Sequence, residues 1–183
     1  MRLLRILSIA LALAIATVAP GYAADPALDP LFERLKTTKN AAEAQTIEGL
    51  IWQAWLQGGG PAANSLMQLG VGAMAAGNLP AALGVFDAIV KQTPDYAEGW
   101  NKRATVLFMM GALDASADDV EKVLKLEPRH FGALSGLGLI RAQQDRNDEA
   151  IAAFEKALAV HPNLENVRRN VEALRKKRRD GAI

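Results

Sequence analysis

The sequence predicts an all-α fold in which one helix hairpin is repeated three times. Pro94, Pro128 and Pro162 stand at equal intervals of about 34 residues, and residues of similar size recur at the same interval at several other positions. We call each set of positions related by this interval a column. Hydrophobic residues make up 50% of the 183 residues, which excludes a disordered chain, whereas 5% aromatic residues and many alanines favour packed helices over sheets. The sequence contains no cysteine, which excludes disulfides and thiolate sites.

Residues 1–23 have the pattern of a secretory signal peptide. Two arginines precede a largely apolar run, Ile6 to Val18, which is shorter than the roughly 20 residues that a membrane-spanning helix needs. Small residues stand one and three places before the bond between Ala23 and Ala24, which predicts cleavage there and a mature protein in the periplasm or outside the cell. An uncleaved N-terminal anchor is the alternative.

Segment 24–62 is predicted to form a degenerate hairpin that caps the stack, because the end units of a repeat array otherwise expose apolar faces. Its second helix is expected over 41–57, after Asn40 as N-cap and before three consecutive glycines at 58–60. Shifting the repeat frame back by one period assigns Trp52 to the column of Phe86.

The recurring small, aromatic and proline residues predict that each of the three repeated units folds as a helix hairpin. Small residues recur at positions 70, 104 and 138, where two helix backbones would cross closely, and Phe86 and Phe154 fill the space beside that crossing. A proline cannot continue a helix and pushes the residue before it out of the helical region, so the chain turns at the end of each unit. The units are 63–96, 97–130 and 131–164, with internal turns at Gly77-Asn78, Gly111-Ala112 and Asp145-Arg146-Asn147.

Segment 165–183 is predicted to form a C-terminal capping helix with a basic tail. Residues 168–180 carry a net charge of +5, whereas residues 24–167 carry −6. The tail could make weak contact with an anionic surface or an acidic partner, or it could only complement its own helix dipole and keep the chain end soluble. Its cations are Arg175, Lys176, Lys177, Arg178 and Arg179.

The pattern of the three repeated units resembles the tetratricopeptide repeat. The consensus of that repeat has a large residue, Leu-Gly/Ala, Ala, an aromatic residue and Pro at fixed positions. The first unit matches through Leu66, Leu69, Gly70, Ala82, Phe86 and Pro94, and the third through Leu134, Leu137, Gly138, Ala150, Phe154 and Pro162. The middle unit departs, with Arg103 in the Leu column and Val120 in the aromatic column. The resemblance implies a right-handed superhelical stack of antiparallel helix hairpins. Since the column of Arg103 is usually buried, Arg103 is expected to pair with Asp118 or Asp119.

In the resembled family, the first helices of the units line a concave wall that holds an extended or helical segment of a partner protein. A carboxylate clamp for an acidic C-terminus is not predicted, because only Asn101 matches its pattern. The alternative for the methionines is packing against neighbouring helices. Carried over by position, the predicted contacts are Asn64, Met67, Val71, Met74, Glu98, Asn101, Thr105, Phe108, Gly132, Ser135, Leu139 and Ala142.

A polar cluster is predicted where the second and third units join, from Glu98, Arg129 and His130. Arg129 could pair with a partner's carboxylate and His130 could titrate near neutral pH. Alternatively, Arg129 pairs with Glu98 or Asp95, and His130 is only the neighbour of a helix N-terminus. An enzyme using Glu98 and His130 is the remote alternative, but the sequence offers no third group, phosphate loop or metal motif, so no catalysis, metal or cofactor is predicted.

The sequence therefore predicts an exported module that binds a protein or peptide partner in its concave groove, as an adaptor or assembly factor of the bacterial envelope. A peripheral membrane or acidic-ligand binder acting through the basic C-terminal helix is the alternative. Nucleic acid is not expected as a partner, because the body is acidic and the chain carries an export signal.

Overall fold

The computed structural model describes residues 25–181, so the predicted signal peptide lies outside the described residues. Within 25–181 the chain forms a 3₁₀ turn, Pro26–Leu28, and α-helices without a strand, which confirms the all-α prediction. The helices are α1 (Asp29–Thr37), α2 (Ala41–Gln57), α3 (Gly60–Ala75), α4 (Leu79–Gln92), α5 (Ala97–Met109), α6 (Leu113–Leu126), α7 (Phe131–Gln143), α8 (Asn147–Val160) and α9 (Glu165–Asp180).

Helices α3 to α8 form a stack of three hairpins, in which α3 pairs with α4, α5 with α6 and α7 with α8. The turn inside each hairpin has one residue of positive φ in the same column, namely Gly77 at 72°, Gly111 at 79° and Asp145 at 57°. Glycine enters this left-handed region without a steric penalty, and aspartate tolerates it better than most residues. The period of the sequence repeat therefore continues into the backbone conformation.

The two helices of the first and third hairpins cross where the sequence places glycine. A Cβ on Gly70 would lie 2.6 Å from the Phe86 ring, and one on Gly138 would overlap the Phe154 ring. The second hairpin has a larger residue, Ala104, at the crossing and the smaller Val120 in the aromatic column. A larger residue in the crossing column thus goes with a smaller residue in the aromatic column.

Arg103 pairs with one carboxylate of its own hairpin and with one of the first hairpin. Its guanidinium donates to both oxygens of Asp119, at 2.7 and 2.6 Å, and to Asp87 at 2.8 Å. The predicted pairing with Asp118 or Asp119 is therefore confirmed for Asp119. Because Asp119 is almost fully buried, this bidentate pair satisfies a charge that would otherwise be costly to enclose.

Helix α9 closes the C-terminal end of the stack. Val167 and Val171 are buried against α8, as the spacing of apolar residues predicts. The tail cations lie over acidic residues of the third hairpin, since Arg175 pairs with Glu155 and Arg178 with Asp148. Any contact of this tail with an anionic surface has to compete with these intramolecular ion pairs.

The N-terminal hairpin, α1 with α2, does not stack on the first repeat as a preceding repeat would. The Trp52 indole meets Phe131 edge-on, with ring centroids 5.4 Å apart, so its assignment to the Phe86 column is wrong. The hairpin's apolar core includes Phe131 and continues to Val160 and Leu164. Trp52 stands one repeat interval before Phe86 by coincidence, because its indole packs against residues far along the chain, at the start of α7.

The outer end of the first repeat is exposed as a result. Leu69 on α3 is 64% exposed, whereas Leu137, in the same column of the third repeat, packs against the core of the second repeat. Each later repeat is covered by the one before it, but α2 lies on the inner side of the stack. The hairpin therefore covers the wall rather than the end.

Candidate binding groove

The concave wall that the sequence predicts consists of the inner faces of α3, α5 and α7. Some of the predicted contact residues on this wall are buried and others are accessible. At the starts of α5 and α7, Glu98, Asn101 and His130 are buried, and we call this the covered half. Toward the ends of the three helices the wall is accessible or partly so, and we call this the open half. The open half contains Val71, Met74, Thr105, Phe108, Ser135, Leu139 and Ala142.

Aromatic side chains of α2 fill the covered half. Trp55 lies flat on His130, with ring centroids 3.9 Å apart and planes inclined by 8°, and Trp52 meets His130 edge-on at 5.5 Å. A Cβ on Gly132 would lie 2.5 Å from Cη2 of Trp52, so the wall has room for this indole only because residue 132 is glycine. An external partner cannot reach His130 while α2 is in place.

A buried polar pair lies beneath the indoles. Oε2 of Glu98 is 3.0 Å from Nε2 of His130 and accepts the amide of Asn101 at 2.9 Å, while Oε1 is 3.1 Å from Nζ of Lys102. Nδ1 of His130 accepts the N–H of Ala133 at 3.0 Å and so caps α7. The ring proton therefore belongs on Nε2, which donates to Glu98.

The electrostatics of this pair keep Glu98 ionised. Burial raises the pKa of Glu98, but the hydrogen bond from His130 and the charge and hydrogen bond of Lys102 outweigh burial and hold the pKa below its ordinary value. Both ring nitrogens of His130 are engaged within the fold, and the side chains of Glu98 and His130 are fully enclosed. No substrate could meet this pair in the described structure.

Arg129 binds the N-terminal hairpin, so its predicted partners, Glu98 and Asp95, are wrong. Its guanidinium donates to Oδ1 of Asp29 at 2.5 Å and to both oxygens of Glu127, at 2.9 and 3.0 Å. Asp29 is 100 residues away in sequence, at the start of α1. The pairing follows from the return of the hairpin to the start of α7, which no local pattern indicates.

Two further contacts hold α2 in place. Nε2 of His161 is 3.1 Å from Oε2 of Glu48, and this hydrogen bond lowers the pKa of Glu48 although partial burial opposes the shift. The hydroxyl of Tyr96 donates to the carbonyl of Leu56 at 2.8 Å. Burial raises the pKa of Tyr96 above its ordinary value, so its hydroxyl keeps the proton that it donates.

The sequence carries one indication that a segment packs against the starts of α5, α7 and α9. Tyr96, His130 and Leu164 occupy one column of the repeat and are the N-cap residues of α5, α7 and α9. All three contact the N-terminal hairpin, through Leu56, Trp55 and the hairpin's apolar core respectively. A helix start usually has a small polar cap, so three large side chains in this column indicate that something packs against them.

Two of the clefts among residues 25–181 lie along accessible parts of the wall. The first has a volume of about 240 Å³ and lies between α5 and α7, lined by Thr105, Phe108, Ser135 and Leu139 among others. The second, of about 430 Å³, lies between α2 and α3 and includes Asn64, Met67 and Val71. Met67 is almost fully buried in the core of the first repeat, which is the alternative that the sequence left open for the methionines.

Between residues 25 and 181, no helix combines the length and the hydropathy that crossing a bilayer requires. In the same part of the chain, no group of three or more His, Asp or Glu side chains is arranged to hold a metal ion.

A tetratricopeptide repeat family model matches residues 67–125 and again 110–165. A TPR repeat-containing protein of Rhizobium etli is 38% identical over 150 residues, which are 82% of this chain and 74% of that protein. The Sgt2 TPR domain from Aspergillus fumigatus has a TM-score of 0.64 at 23% identity, covering 67% of this chain and 83% of its own. The first TPR of Spaghetti (RPAP3), bound to the HSP90 peptide SRMEEVD, has 0.61 at 18% identity, covering 63% and 91%. The two structures show the fold alone, but the family match extends over more than half of the sequence, and the chain belongs to the tetratricopeptide repeat family.

Proposed function

We propose that the protein is an exported adaptor or assembly factor of the bacterial envelope that binds a protein or peptide partner along the open half of its wall. The observation that carries this proposal is the cleft between α5 and α7. Phe108 and Leu139 line it, and Leu139 is 43% exposed although it is a large apolar residue. Exposed apolar side chains gathered in a cleft are typical of a protein-interaction site.

Polar groups in the same cleft suit an extended backbone. The hydroxyl of Thr105 donates to the carbonyl of Asn101 at 2.9 Å, and that of Ser135 donates to the carbonyl of Phe131 at 2.7 Å. Each hydroxyl has used its proton and keeps lone pairs that can accept an N–H from a partner. The combination of two acceptors and an apolar pocket fits a peptide whose side chain enters the cleft while its backbone lies across α5 and α7.

The structure of Spaghetti (RPAP3) with an HSP90 peptide supports a peptide as the ligand class. The partner here is expected to differ, because the wall lacks the residues of a carboxylate clamp. Met67, Val71 and Gly132 stand where that clamp needs polar or basic side chains.

Export is the part of this proposal that rests on the sequence of residues 1–23. N-terminal sequencing of the protein purified from its native cells tests it, and the expected first residue is Ala24. Recovery of Met1 on membrane-bound material would replace the exported protein with an anchored one.

Site-specific photocrosslinking tests the binding surface. A photoreactive amino acid at Leu139 should capture the partner in intact cells, whereas the same group at Lys122, an exposed residue of α6, should not. The captured protein is identified by mass spectrometry and then bound to the purified chain. Capture from Lys122 but not from Leu139 would show that the partner uses the outer helices instead.

A further inference from the structure

We infer that the covered half of the wall is a second binding site, specific for an amphipathic helix with one acidic and two aromatic side chains on a single face, which the chain occupies with its own α2. The inference goes beyond the proposed function and rests on it only in assuming that the ligand is a protein segment. The open half and the covered half would then bind different parts of a partner, or different partners.

The bound face of α2 defines the ligand chemistry. Glu48, Trp52 and Trp55 stand at i, i+4 and i+7, so they project from one side of the helix. Each makes a distinct contact: Glu48 with His161, Trp52 against Gly132, and Trp55 on His130. A foreign helix would need the same three chemical groups at the same spacing.

The wall is shaped to receive these groups. Gly132 leaves a space that the edge of an indole fills, and Lys102 lies 5.5 Å from the centre of the Trp52 ring, within range of a cation–π contact. His130 is held flat against Trp55 by its bonds to Glu98 and Ala133. Because these wall residues belong to α5 and α7, their positions are set by the repeats themselves.

The hairpin can leave without opening the repeats. It is joined to α3 through Gly58 and Gly59, and Gly60 has a φ of 79° that other residues rarely adopt. Most of its apolar core is made of its own side chains, with Phe131 as the buried wall residue among them. Two of its anchoring acids are accessible to water, with side-chain exposures of 60% for Asp29 and 33% for Glu48. A competing helix has to replace the wall contacts of α2, and α1 has to leave Arg129 and the end of α8 when the hairpin is displaced.

The test uses a fluorescently labelled peptide of residues 41–57 and the full mature chain. In the wild type, α2 competes for the site, so the peptide should bind weakly. The chain variant Trp52→Ala/Trp55→Ala removes the indoles that hold α2 and should bind the unaltered peptide about tenfold more tightly or better, because the open fraction of the site rises. A milder variant, Asp29→Ala/Glu48→Ala, should shift affinity in the same direction if the first variant proves poorly folded by circular dichroism.

Gly132→Val supplies the matched control. Added to Trp52→Ala/Trp55→Ala, it fills the space for the incoming indole and should return peptide binding to the wild-type level or below. Because Gly132 also lines the cleft of the open half, crosslinking at Leu139 is compared instead between the wild type and Trp52→Ala/Trp55→Ala. It should be unchanged there, which separates this inference from the proposed function. A peptide with both tryptophans replaced by alanine should not bind.

Equal peptide affinity in the wild type and in a folded hairpin variant would overturn the inference. So would tight binding that Gly132→Val does not reduce. A wild-type chain that forms a dimer by exchanging its hairpin, detected by light scattering and by crosslinks from α2 to the wall of another copy, would also overturn it, since the ligand would then be a second copy of this chain.

Discussion

Trp55 stacks on His130, with ring centroids 3.9 Å apart, and this contact joins the N-terminal hairpin to the start of the third repeat. The same histidine caps α7 and bonds to Glu98. One side chain therefore links the hairpin, a helix terminus and a buried carboxylate. Changes at His130 should accordingly affect folding more than partner contact.

His130→Ala should lower the free energy of unfolding by about 3 kcal/mol, because it leaves Glu98 buried without its main partner. The double variant His130→Ala/Glu98→Ala should lose less than the sum of the two single variants, since the uncompensated charge is gone. Urea unfolding of the four chains measures this. Strictly additive losses would show that the two side chains do not act as a pair.

The titration of Glu48 and Glu98 should make the free energy of unfolding depend on pH. The pKa values of Glu48 and Glu98 lie below the ordinary value of 4.5 in the folded chain. As the pH falls below 4.5, the unfolded chain binds protons that the folded chain still excludes, so the stability that these groups contribute is present above this pH and is lost below it. Urea unfolding between pH 7 and pH 3 should show this loss.

Glu48→Gln is the control for that measurement. The variant removes the titration of one glutamate, so the decrease in stability in acid should become shallower. An unchanged slope would mean that the bond between Glu48 and His161 makes no measurable difference between the folded and unfolded chains.

The compensation between crossing and aromatic columns gives a third prediction. Val120→Phe should destabilise the second repeat by about 1 to 3 kcal/mol through overpacking against Ala104. Ala104→Gly alone should cost about 1 kcal/mol, because glycine weakens a helix interior. Together they recreate the pairing of Gly70 with Phe86, so the double variant should be more stable than the summed losses predict. A double-mutant cycle measured by urea unfolding tests this prediction. Additive losses of stability would mean that the residues of the two columns act independently.

The repeats could be predicted from the sequence because their contacts are local and periodic. Gly70 and Phe86 lie on the two helices of one hairpin, and their counterparts recur at the same spacing, so three copies reinforce one pattern. The pairing of Arg103 with Asp119 was predictable for the same reason, since both residues lie in one hairpin. Local periodicity thus accounts for the fold of the three repeats and for the helices that form the wall.

The position of the N-terminal hairpin could not be predicted in this way. Its contacts join Asp29 to Arg129 and Glu48 to His161, which are 100 and 113 residues apart and occur once. A single contact between distant residues leaves no periodic trace. Only the large side chains that begin α5, α7 and α9 indicate a packing partner, and they do not say which segment it is.

The last prediction separates binding from stability on the wall. Phe108 is partly exposed in the cleft of the open half, whereas Asn101 is buried and donates its amide to Glu98. Phe108→Ala should therefore weaken partner binding by about 1 to 3 kcal/mol, as expected for an aromatic contact at the centre of an interface. Asn101→Ala should instead lower the free energy of unfolding by about 1 to 3 kcal/mol, because Glu98 loses a buried donor, and should leave affinity nearly unchanged in the folded fraction. Titration calorimetry with the crosslinked partner and urea unfolding measure the two effects on the same samples. Lys122→Ala, on the outer surface of α6, is the control for both. If Asn101→Ala weakened binding while stability stayed at the wild-type level, the covered half would be open to the partner in solution, and the partner would bind along the whole wall instead of its open half.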